Sequence, residues 1–290
     1  MKAPEETNTI LVPIDFTEIV PNTLKHATEL AKLFGKPLTF LHVVTKGFLE
    51  SDSDLALDEE ESQLKLENLA EDVFAESGIM CNAVVRRGTN YDAIGETAKE
   101  LKATLVVMGT HGIKGLQRIF GSRAIRVIYN SEQVPFVVVQ QRPIAEHGYK
   151  NIVLPFSFTV ESRQKLAWTI HLNKIFGCTF HILAETEEDE FIARKIKNNL
   201  VYAERYLKQH NCKYTVHHAA KNTSFHKDIV QFAASIFADM IIIMTTEEKD
   251  WLDYISGPNE QNIIANPAQI PVFCLNPVDN MQILGAAMFQ

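Results

Sequence analysis

An internal repeat constrains the fold of this chain more than any other feature of its sequence. When the chain is shifted against itself by about 142 residues, TILVPIDFT at Thr9 falls on NIVLPFSFT at Asn151. Further along, a shift of about 136 residues places LVVMGT at Leu105 over IIIMTT at Ile241. Self-similarity of this kind is typical of a duplicated structural unit. We therefore interpret the chain as two copies of one domain.

Short apolar runs alternate with segments of helical periodicity in both copies. Because unbroken apolar strands separated by helices are typical of a parallel sheet covered on both faces, this alternation predicts an α/β fold. We expect two tandem doubly wound, Rossmann-like domains, each a five-stranded parallel sheet with helices on both faces. The expected strands are Thr9–Pro13, Leu38–Val43, Cys81–Val85, Thr104–Met108 and Val134–Gln140 in the first copy, and Asn151–Pro155, Thr179–Leu183, Lys213–His217, Met240–Met244 and Val272–Leu275 in the second.

The helical stripes and the join between the copies complete the expected layout. In the first copy, apolar residues at helical spacing predict helices through Leu24–Phe34 and Tyr91–Leu101, with others over Leu55–Ser77 and from Ser122 towards Asn130. The join carries a proline and no helical stripe. We expect domains at residues 1–142 and 149–280, a linker at 143–148 and a tail at 281–290.

Composition and charge exclude several classes of function. The formal net charge of −8 argues against sequence-independent binding of nucleic acid, which needs clustered cations. No apolar run approaches the roughly 20 residues of a membrane helix, and the polar segment Met1–Asn8 lacks the features of a secretory signal. The cysteines show no C-x-x-C spacing and the histidines no metal-binding motif, so we expect neither disulfides nor a metal site. A cytoplasmic protein is the resulting expectation.

Two segments of the first copy stand where a ligand would bind. In an open parallel sheet, ligands bind beyond the carboxyl ends of the strands, where the strand order reverses. VPID ends the first strand, and MGTHGIKGLQRIFGS follows the fourth. Glycines in the second segment can adopt positive φ and let backbone N–H groups approach an anion, and its last serine suits a helix cap. The alternative is an ordinary glycine-rich connection. The candidate residues are Pro13, Ile14, Asp15, Met108, Gly109, His111, Gly112, Gly115, Gly121 and Ser122.

These motifs resemble those of the universal stress protein family, and the tandem arrangement resembles its two-domain members. LVPIDFT, VVMGTHG, the GLQR–GS continuation and VPFVVVQ carry the resemblance, strongly in the first copy and faintly in the second. It implies an adenine nucleotide alpha hydrolase-like fold that binds ATP or a related adenine nucleotide, with Mg²⁺ as its companion ion. The implied contacts are Asp15 and Val43 for adenine, Met108, Gly109 and Gly112 for ribose and phosphates, and Gly121 and Ser122 for the phosphates.

The sequence departs from the family pattern in two places. The ATP-binding pattern G-x2-G-x9-G-[ST] has nine residues before its last glycine, whereas eight separate Gly112 from Gly121 here. One residue fewer turns the amides that face the phosphates, which affects a triphosphate more than adenosine. The second copy has lost the pattern, so we expect it to be structural or regulatory. Its replacements for Asp15, Gly109, Gly112, Gly115 and Ser122 are Ser157, Thr245, Glu248, Trp251 and Pro258.

Other functions and assemblies remain open from the sequence. A protein-binding scaffold with a vestigial loop competes with nucleotide binding, and Trp251 suggests an apolar ligand for the second copy. His111 and Asp15 are the only candidate general bases near the predicted site, so slow ATP hydrolysis is the most catalysis we expect. The resemblance implies that the apolar last strands pair, making an intramolecular pseudo-dimer. The apolar segment Met281–Phe289 is a candidate surface for further association, such as a homodimer.

Overall fold

The structure, a computed structural model, describes residues 8–45, 52–110, 127–128, 131, 134–221, 223–245 and 259–277, apart from the side chains of 52–54, 90–91 and 259–260. The chain divides into two compact units, Met1–Pro143 and Ile144–Gln290. In the described residues each unit contributes five parallel strands with helices between them, so the predicted α/β fold is confirmed. None of the described helices has the length and apolar composition of a membrane span.

The first unit begins with a buried strand and a helix that covers it. Its strand order is β3-β2-β1-β4-β5, so the order reverses between β1 and β4. The strands β1 and β4 are buried almost throughout, which is why their sequences are unbroken apolar runs. The elements are β1 (Ile10–Pro13), α1 (Val20–Phe34), β2 (Leu38–Val44), α2 (Asp52–Ser77), β3 (Cys81–Arg87), α3 (Asn90–Glu100), β4 (Leu105–Gly109) and β5 (Phe136–Val139).

The second unit repeats this plan. Its strand order is β10-β9-β6-β7-β8, so the reversal again lies beside the first strand of the unit, between β6 and β9. The elements are β6 (Asn151–Phe156), a 3₁₀ helix (Val160–Arg163), α4 (Leu166–Phe176), β7 (Thr179–Ala184), α5 (Glu190–Gln209), β8 (Lys213–His218), α6 (Phe225–Ser235), β9 (Met240–Met244), α7 (Asn259–Ile264) and β10 (Val272–Leu275).

The first helix of each unit ends in the same way. Gly35 follows α1 with φ 60° and Gly177 follows α4 with φ 58°, both in the left-handed region that glycine adopts without strain. The two glycines are paired by the sequence repeat. Each one turns the chain from a helix into the next strand, so the repeat preserves a backbone requirement as well as an apolar pattern.

Most of the sequence-derived elements are confirmed, and the differences lie at their ends. Strand β3 continues through Arg87 and β8 through His218, beyond the expected Val85 and His217. Helix α2 begins at Asp52, three residues before the expected Leu55. Of the helix expected from Ser122, only residues 127–128 are described, and both are helical and buried.

Candidate functional site

The backbone pairing of β1 with β4 stops before the carboxyl ends of the two strands. The parallel ladder joining these strands covers Ile10 with Leu105 and Leu11 with Val106, whereas the ladder between β1 and β2 continues to Pro13 and Leu41. The strand order reverses at this point, which is where ligands bind in open α/β sheets. The predicted residues at the ends of the two strands therefore border the crevice that is expected at this reversal.

Asp15 lies at the tip of β1, on the surface, and its carboxylate is held by the next turn of chain. Its Oδ1 accepts hydrogen bonds from the Thr17 backbone N–H at 3.1 Å and from the Thr17 hydroxyl at 2.6 Å. This local ring is an Asx-type turn, which aspartate favours because its short side chain reaches the backbone two residues on. Both bonds go to Oδ1, so Oδ2 is the oxygen that the turn leaves for another donor.

Phe16 follows Asp15 in a conformation that few non-glycine residues adopt. Its φ is 55°, and 40% of its surface is exposed. The backbone strain of such a residue is of order 1–3 kcal/mol, and it persists where the surroundings hold it. The Phe16 ring lies 4.8 Å from the His42 ring between centroids, and the Lys65 ammonium lies 5.8 Å from the Phe16 centroid. An exposed aromatic face therefore stands at the end of β1, beside the ends of β2 and the middle of α2.

His42 is fixed by the backbone of β1. Its Nδ1 lies 2.7 Å from the Ile14 carbonyl oxygen. Because a carbonyl oxygen only accepts hydrogen bonds, Nδ1 carries the proton, and Nε2 of the neutral ring is an acceptor. Sequence reasoning did not select His42, although it precedes the selected Val43 by one residue.

Val43 lines an open cleft of about 290 Å³ between the end of β2 and helix α2. Its walls combine a half-buried valine with titratable side chains of α2. Lys65 Nζ lies 2.6 Å from Glu61 Oε1, so a cation and a carboxylate meet at the cleft. The lining residues are His42, Val43, Val44, Thr45, Asp58, Glu61, Ser62 and Lys65. The cleft thus offers an apolar surface together with both signs of charge.

The outer side of α2 is tied to the edge strand. Arg87 forms two hydrogen bonds to the Glu59 carboxylate, one of them from Nη2 to Oε2 at 2.7 Å. Hydrogen bonding to Arg87 is the main cause that lowers the pKa of Glu59. Both side chains lie at the surface, so this pair adds little stability. The pair joins Glu59 of α2 to the end of β3, beside the α2 residues that line the cleft.

The structure corrects the reason for a glycine at position 109. The sequence suggested that Gly109 adopts a positive φ to expose its amide, but it is the last residue of β4, paired with Val139 in a regular ladder and outside the left-handed region. A Cβ at this position would lie 2.3 Å from Thr23 Oγ1 and 3.0 Å from Ile19 Cγ2. Close packing of β4 against the start of α1 therefore requires the glycine. Met108, beside it, is buried.

The remaining predicted site residues lie outside the described part of the chain. They are His111, Gly112, Gly115, Gly121 and Ser122. The counterpart residues Glu248, Trp251 and Pro258 of the second unit lie outside it as well. The structure therefore brings together the β1, β2 and β4 ends of the candidate site, with Pro13, Ile14, Asp15, Val43, Met108 and Gly109 at those ends.

The second unit carries different side chains at the equivalent strand ends. The repeat places Glu185, one residue after β7, on Val43. Burial is the main cause that raises the pKa of Glu185, with a contribution from Glu187. Its Oε2 is buried without a hydrogen-bond partner in the described residues. The two units therefore differ in charge and in polarity at this position.

A buried lysine stands beside the crevice of the second unit. Lys165, at the start of α4, is 2% exposed and aligns with Thr23 of the first unit. Its ammonium donates a hydrogen bond to the Pro155 carbonyl oxygen and lies 4.8 Å from the centroid of the Phe156 ring. Burial lowers the pKa of Lys165 from 10.5 to about 7. The lysine satisfies a carbonyl at the point where β6 and β9 separate.

The loop after β6 is clamped by its own unit. Asn199 of α5 is buried and donates from Nδ2 to the carbonyl oxygens of Ser157 and Thr159, at 2.8 and 2.7 Å. Arg163 Nε donates to Asn199 Oδ1 at 2.8 Å, so the amide itself is held in place. Ser157, the counterpart of Asp15, is therefore part of an internal hydrogen-bond network.

Comparison with known proteins agrees with this architecture. A family model for the universal stress protein family matches residues 6–140. A universal stress protein of Methanocaldococcus jannaschii is 34% identical over 143 residues, which cover 46% of this chain and 81% of that protein. One from Synechocystis sp. is 32% identical over 134 residues, covering 45% of this chain and 84% of that protein.

The fold of most of the chain also has a solved counterpart. The crystal structure of a universal stress protein from Archaeoglobus fulgidus matches with a TM-score of 0.77 and 19% identity, covering 93% of this chain and 98% of that one. At this identity the likeness shows the fold alone. Together with the sequence relatives, the motifs at the ends of β1 and β4 lead to one conclusion: this chain belongs to the universal stress protein family.

Proposed function

We propose that the first unit binds an adenine nucleotide, ATP or a relative of it, and that the second unit does not. The observation that carries the proposal is that the backbone pairing of β1 with β4 stops at Leu11 and Val106, at the point where the strand order reverses. Asp15 borders this crevice on one side and Met108 on the other, and the glycine-rich segment follows directly. A ligand here has its base towards the cleft at Val43 and its phosphates towards residues 109–122.

The chemistry of the described walls supports a nitrogen base. Adenine presents an exocyclic amino group, which donates hydrogen bonds, and a flat apolar face. Acceptors suited to such a donor are the Asp15 Oδ2 and the Nε2 of His42, while Val43 and the exposed ring of Phe16 offer apolar contact. In the second unit, Glu185 in place of Val43 and the clamped Ser157 in place of Asp15 remove these features.

A binding experiment tests the proposal. Adenosine, AMP and ATP with Mg²⁺ are titrated into the parent protein by isothermal calorimetry, alongside Val43→Glu and Gly112→Glu. Because an unpaired carboxylate facing the base costs about 1–3 kcal/mol, we expect Val43→Glu to weaken binding about 5- to 150-fold. Since the second unit folds with Glu185 at the equivalent position, the fold accommodates this change. We expect Gly112→Glu to affect ATP more than adenosine.

The matched control is Leu64→Glu, which adds the same charge to α2 at an exposed position outside the cleft lining. Nucleotide affinity retained in Leu64→Glu and lost in Val43→Glu supports the site. If all three variants bind nucleotide as tightly as the parent, the nucleotide binds outside the proposed site. If the parent binds no nucleotide, a protein-binding scaffold is favoured. Slow hydrolysis, the role of Mg²⁺, protein partners and cytoplasmic location stay predictions from the sequence.

A further inference from the structure

Four polar side chains of the second unit meet on one face of its sheet. In the ladders, His181 of β7 pairs with Thr215 of β8 and with Val153 of β6, and His217 lies two residues beyond Thr215. Residues paired across strands share a face, as do residues two apart on one strand. Asn151, two residues before Val153, joins the same face. Among the histidines of β8, His218 lies on the opposite face.

These side chains form a continuous chain of hydrogen bonds. His181 Nε2 lies 3.1 Å from Asn151 Oδ1, and His181 Nδ1 lies 2.9 Å from the Thr215 hydroxyl. The same hydroxyl lies 2.9 Å from His217 Nε2. We call Asn151, His181, Thr215 and His217 the sheet-face cluster. Its two imidazole rings converge on one oxygen atom.

The amide of Asn151 determines the direction of this chain. Because Oδ1 only accepts, His181 Nε2 carries a proton and donates it, which leaves a lone pair on Nδ1 of the neutral ring. The Thr215 hydroxyl donates to that lone pair and accepts from the Nε2–H of His217. His181 can thus bind a metal through Nδ1 while its Nε2–H is held by the amide oxygen of Asn151, an arrangement found in protein sites for zinc.

We propose that the sheet-face cluster binds a divalent transition metal ion, with Zn²⁺ as the ion that its ligands suit. Two imidazole nitrogens around one point favour Zn²⁺ or Cu²⁺ over Mg²⁺ or Ca²⁺, which prefer oxygen ligands. The ion lies between His181 Nδ1 and His217 Nε2, beside the Thr215 oxygen as a third ligand. To bind, the ion replaces both hydrogen bonds of the Thr215 hydroxyl, whose proton turns from His181 Nδ1 to solvent, and His217 moves its proton from Nε2 to Nδ1.

The surroundings permit an ion to enter. Thr215 is exposed and both histidines are half-buried, so solvent reaches the point where they converge. Phe232 of α6 lies 4.6 Å from the His217 ring and 6.5 Å from the His181 ring, which gives the cluster one apolar wall. In the described residues, no group of three or more His, Cys, Asp or Glu side chains is placed to bind a metal. The proposed site therefore depends on the threonine oxygen and leaves a position for water.

Zinc titration of the full, untagged chain tests the proposal. The readouts are the Zn²⁺ affinity from calorimetry and the thermal midpoint, with MgCl₂ as the hard-cation control. The parent, His217→Gln and the matched control His218→Gln are compared. Loss of an outer partner of a metal-bound histidine typically costs 10- to 100-fold in affinity, so removal of a direct ligand is expected to cost at least about 100-fold. We expect His218→Gln to bind as the parent does.

A spectrum of the histidine side chains gives a second, independent readout. Long-range ¹H–¹⁵N correlation spectra are expected to show His181 protonated at Nε2 without zinc, and shifts at His181 and His217 on its addition. If His217→Gln fails to fold, Thr215→Val at its exposed position removes the third ligand and is expected to weaken binding about tenfold or more. Zinc affinity that is equal in all variants, or absent from the parent, overturns the proposal.

Discussion

Replacing Lys165 by methionine is expected to change the stability of the second unit with a sign that depends on pH. The lysine is buried at the separation of β6 and β9, and burial lowers its pKa from 10.5 to about 7. Between these pH values the unfolded chain binds a proton that the folded chain does not. Stability of the parent therefore falls as pH decreases from 10.5 to 7, and stays at the lower level below pH 7.

The size of the effect follows from the same two pKa values. At about 1.4 kcal/mol per pKa unit, the interval from 10.5 to about 7 corresponds to about 5 kcal/mol. Methionine does not titrate, but it leaves the Pro155 carbonyl oxygen without the lysine donor, which costs about 1–3 kcal/mol at every pH. We expect Lys165→Met to be about 2–4 kcal/mol more stable than the parent at pH 6.5 and about 1–3 kcal/mol less stable at pH 10.5.

Urea unfolding followed by tryptophan fluorescence measures this difference in the second unit. Both tryptophans of the chain, Trp168 and Trp251, lie in that unit, and Trp168 is buried 4.8 Å from the ring of Phe273. Lys174→Met, at an exposed lysine of the same helix, controls for loss of any lysine. Parallel stability curves for Lys165→Met and the parent from pH 6.5 to 10.5 would refute the reasoning.

Two further predictions concern the first unit. Gly109→Ala places a Cβ 2.3 Å from Thr23 Oγ1 and should lower the free energy of unfolding by about 1–3 kcal/mol, measured by circular dichroism. Adding Thr23→Ala should restore part of the loss. A Gly109→Ala variant as stable as the parent would contradict the packing role. His26 is fully buried against the Arg142 carbonyl, and burial lowers the pKa of His26 from 6.5 to about 4. Because the unfolded chain binds a proton in this interval that the folded chain does not, the stability of the parent should fall by about 3 kcal/mol from pH 6.5 to 4. His26→Gln should lose less stability over that range, and an identical pH profile would rule the explanation out.

The strands could be read from the sequence because each central strand is buried on both faces. Met240–Met244 is observed with the expected bounds, since the ends of an unbroken apolar run are clear in the sequence. The edge strand β3 runs two residues further than expected, through Arg87. Its polar side chains reach solvent while the backbone keeps its ladder with β2, so polarity does not end an edge strand.

Residues of the candidate site could be predicted from the sequence only where they lie at the ends of strands. Asp15 and Met108 follow from the rule that parallel strands present their carboxyl ends together. The opposite wall of the cleft was not predictable, because the position of Lys65 depends on how α2 packs over β2. The meeting of His181 with His217 was missed for a similar reason. It depends on the register between β7 and β8, which no local motif encodes.

The two units show what a duplicated sheet leaves free to diverge. The interior of each central strand is packed on both sides, whereas side chains around the carboxyl ends differ between the copies, whether exposed like Asp15 or buried like Thr23. Here Asp15, Val43 and Thr23 have become Ser157, Glu185 and Lys165 while the sheet kept its order. The residues around the strand ends can thus change without altering the strand order. Exchanging Asp15 and Val43 with their counterparts Ser157 and Glu185 is expected to leave the sheet intact and to change the ligand that the proposed site accepts.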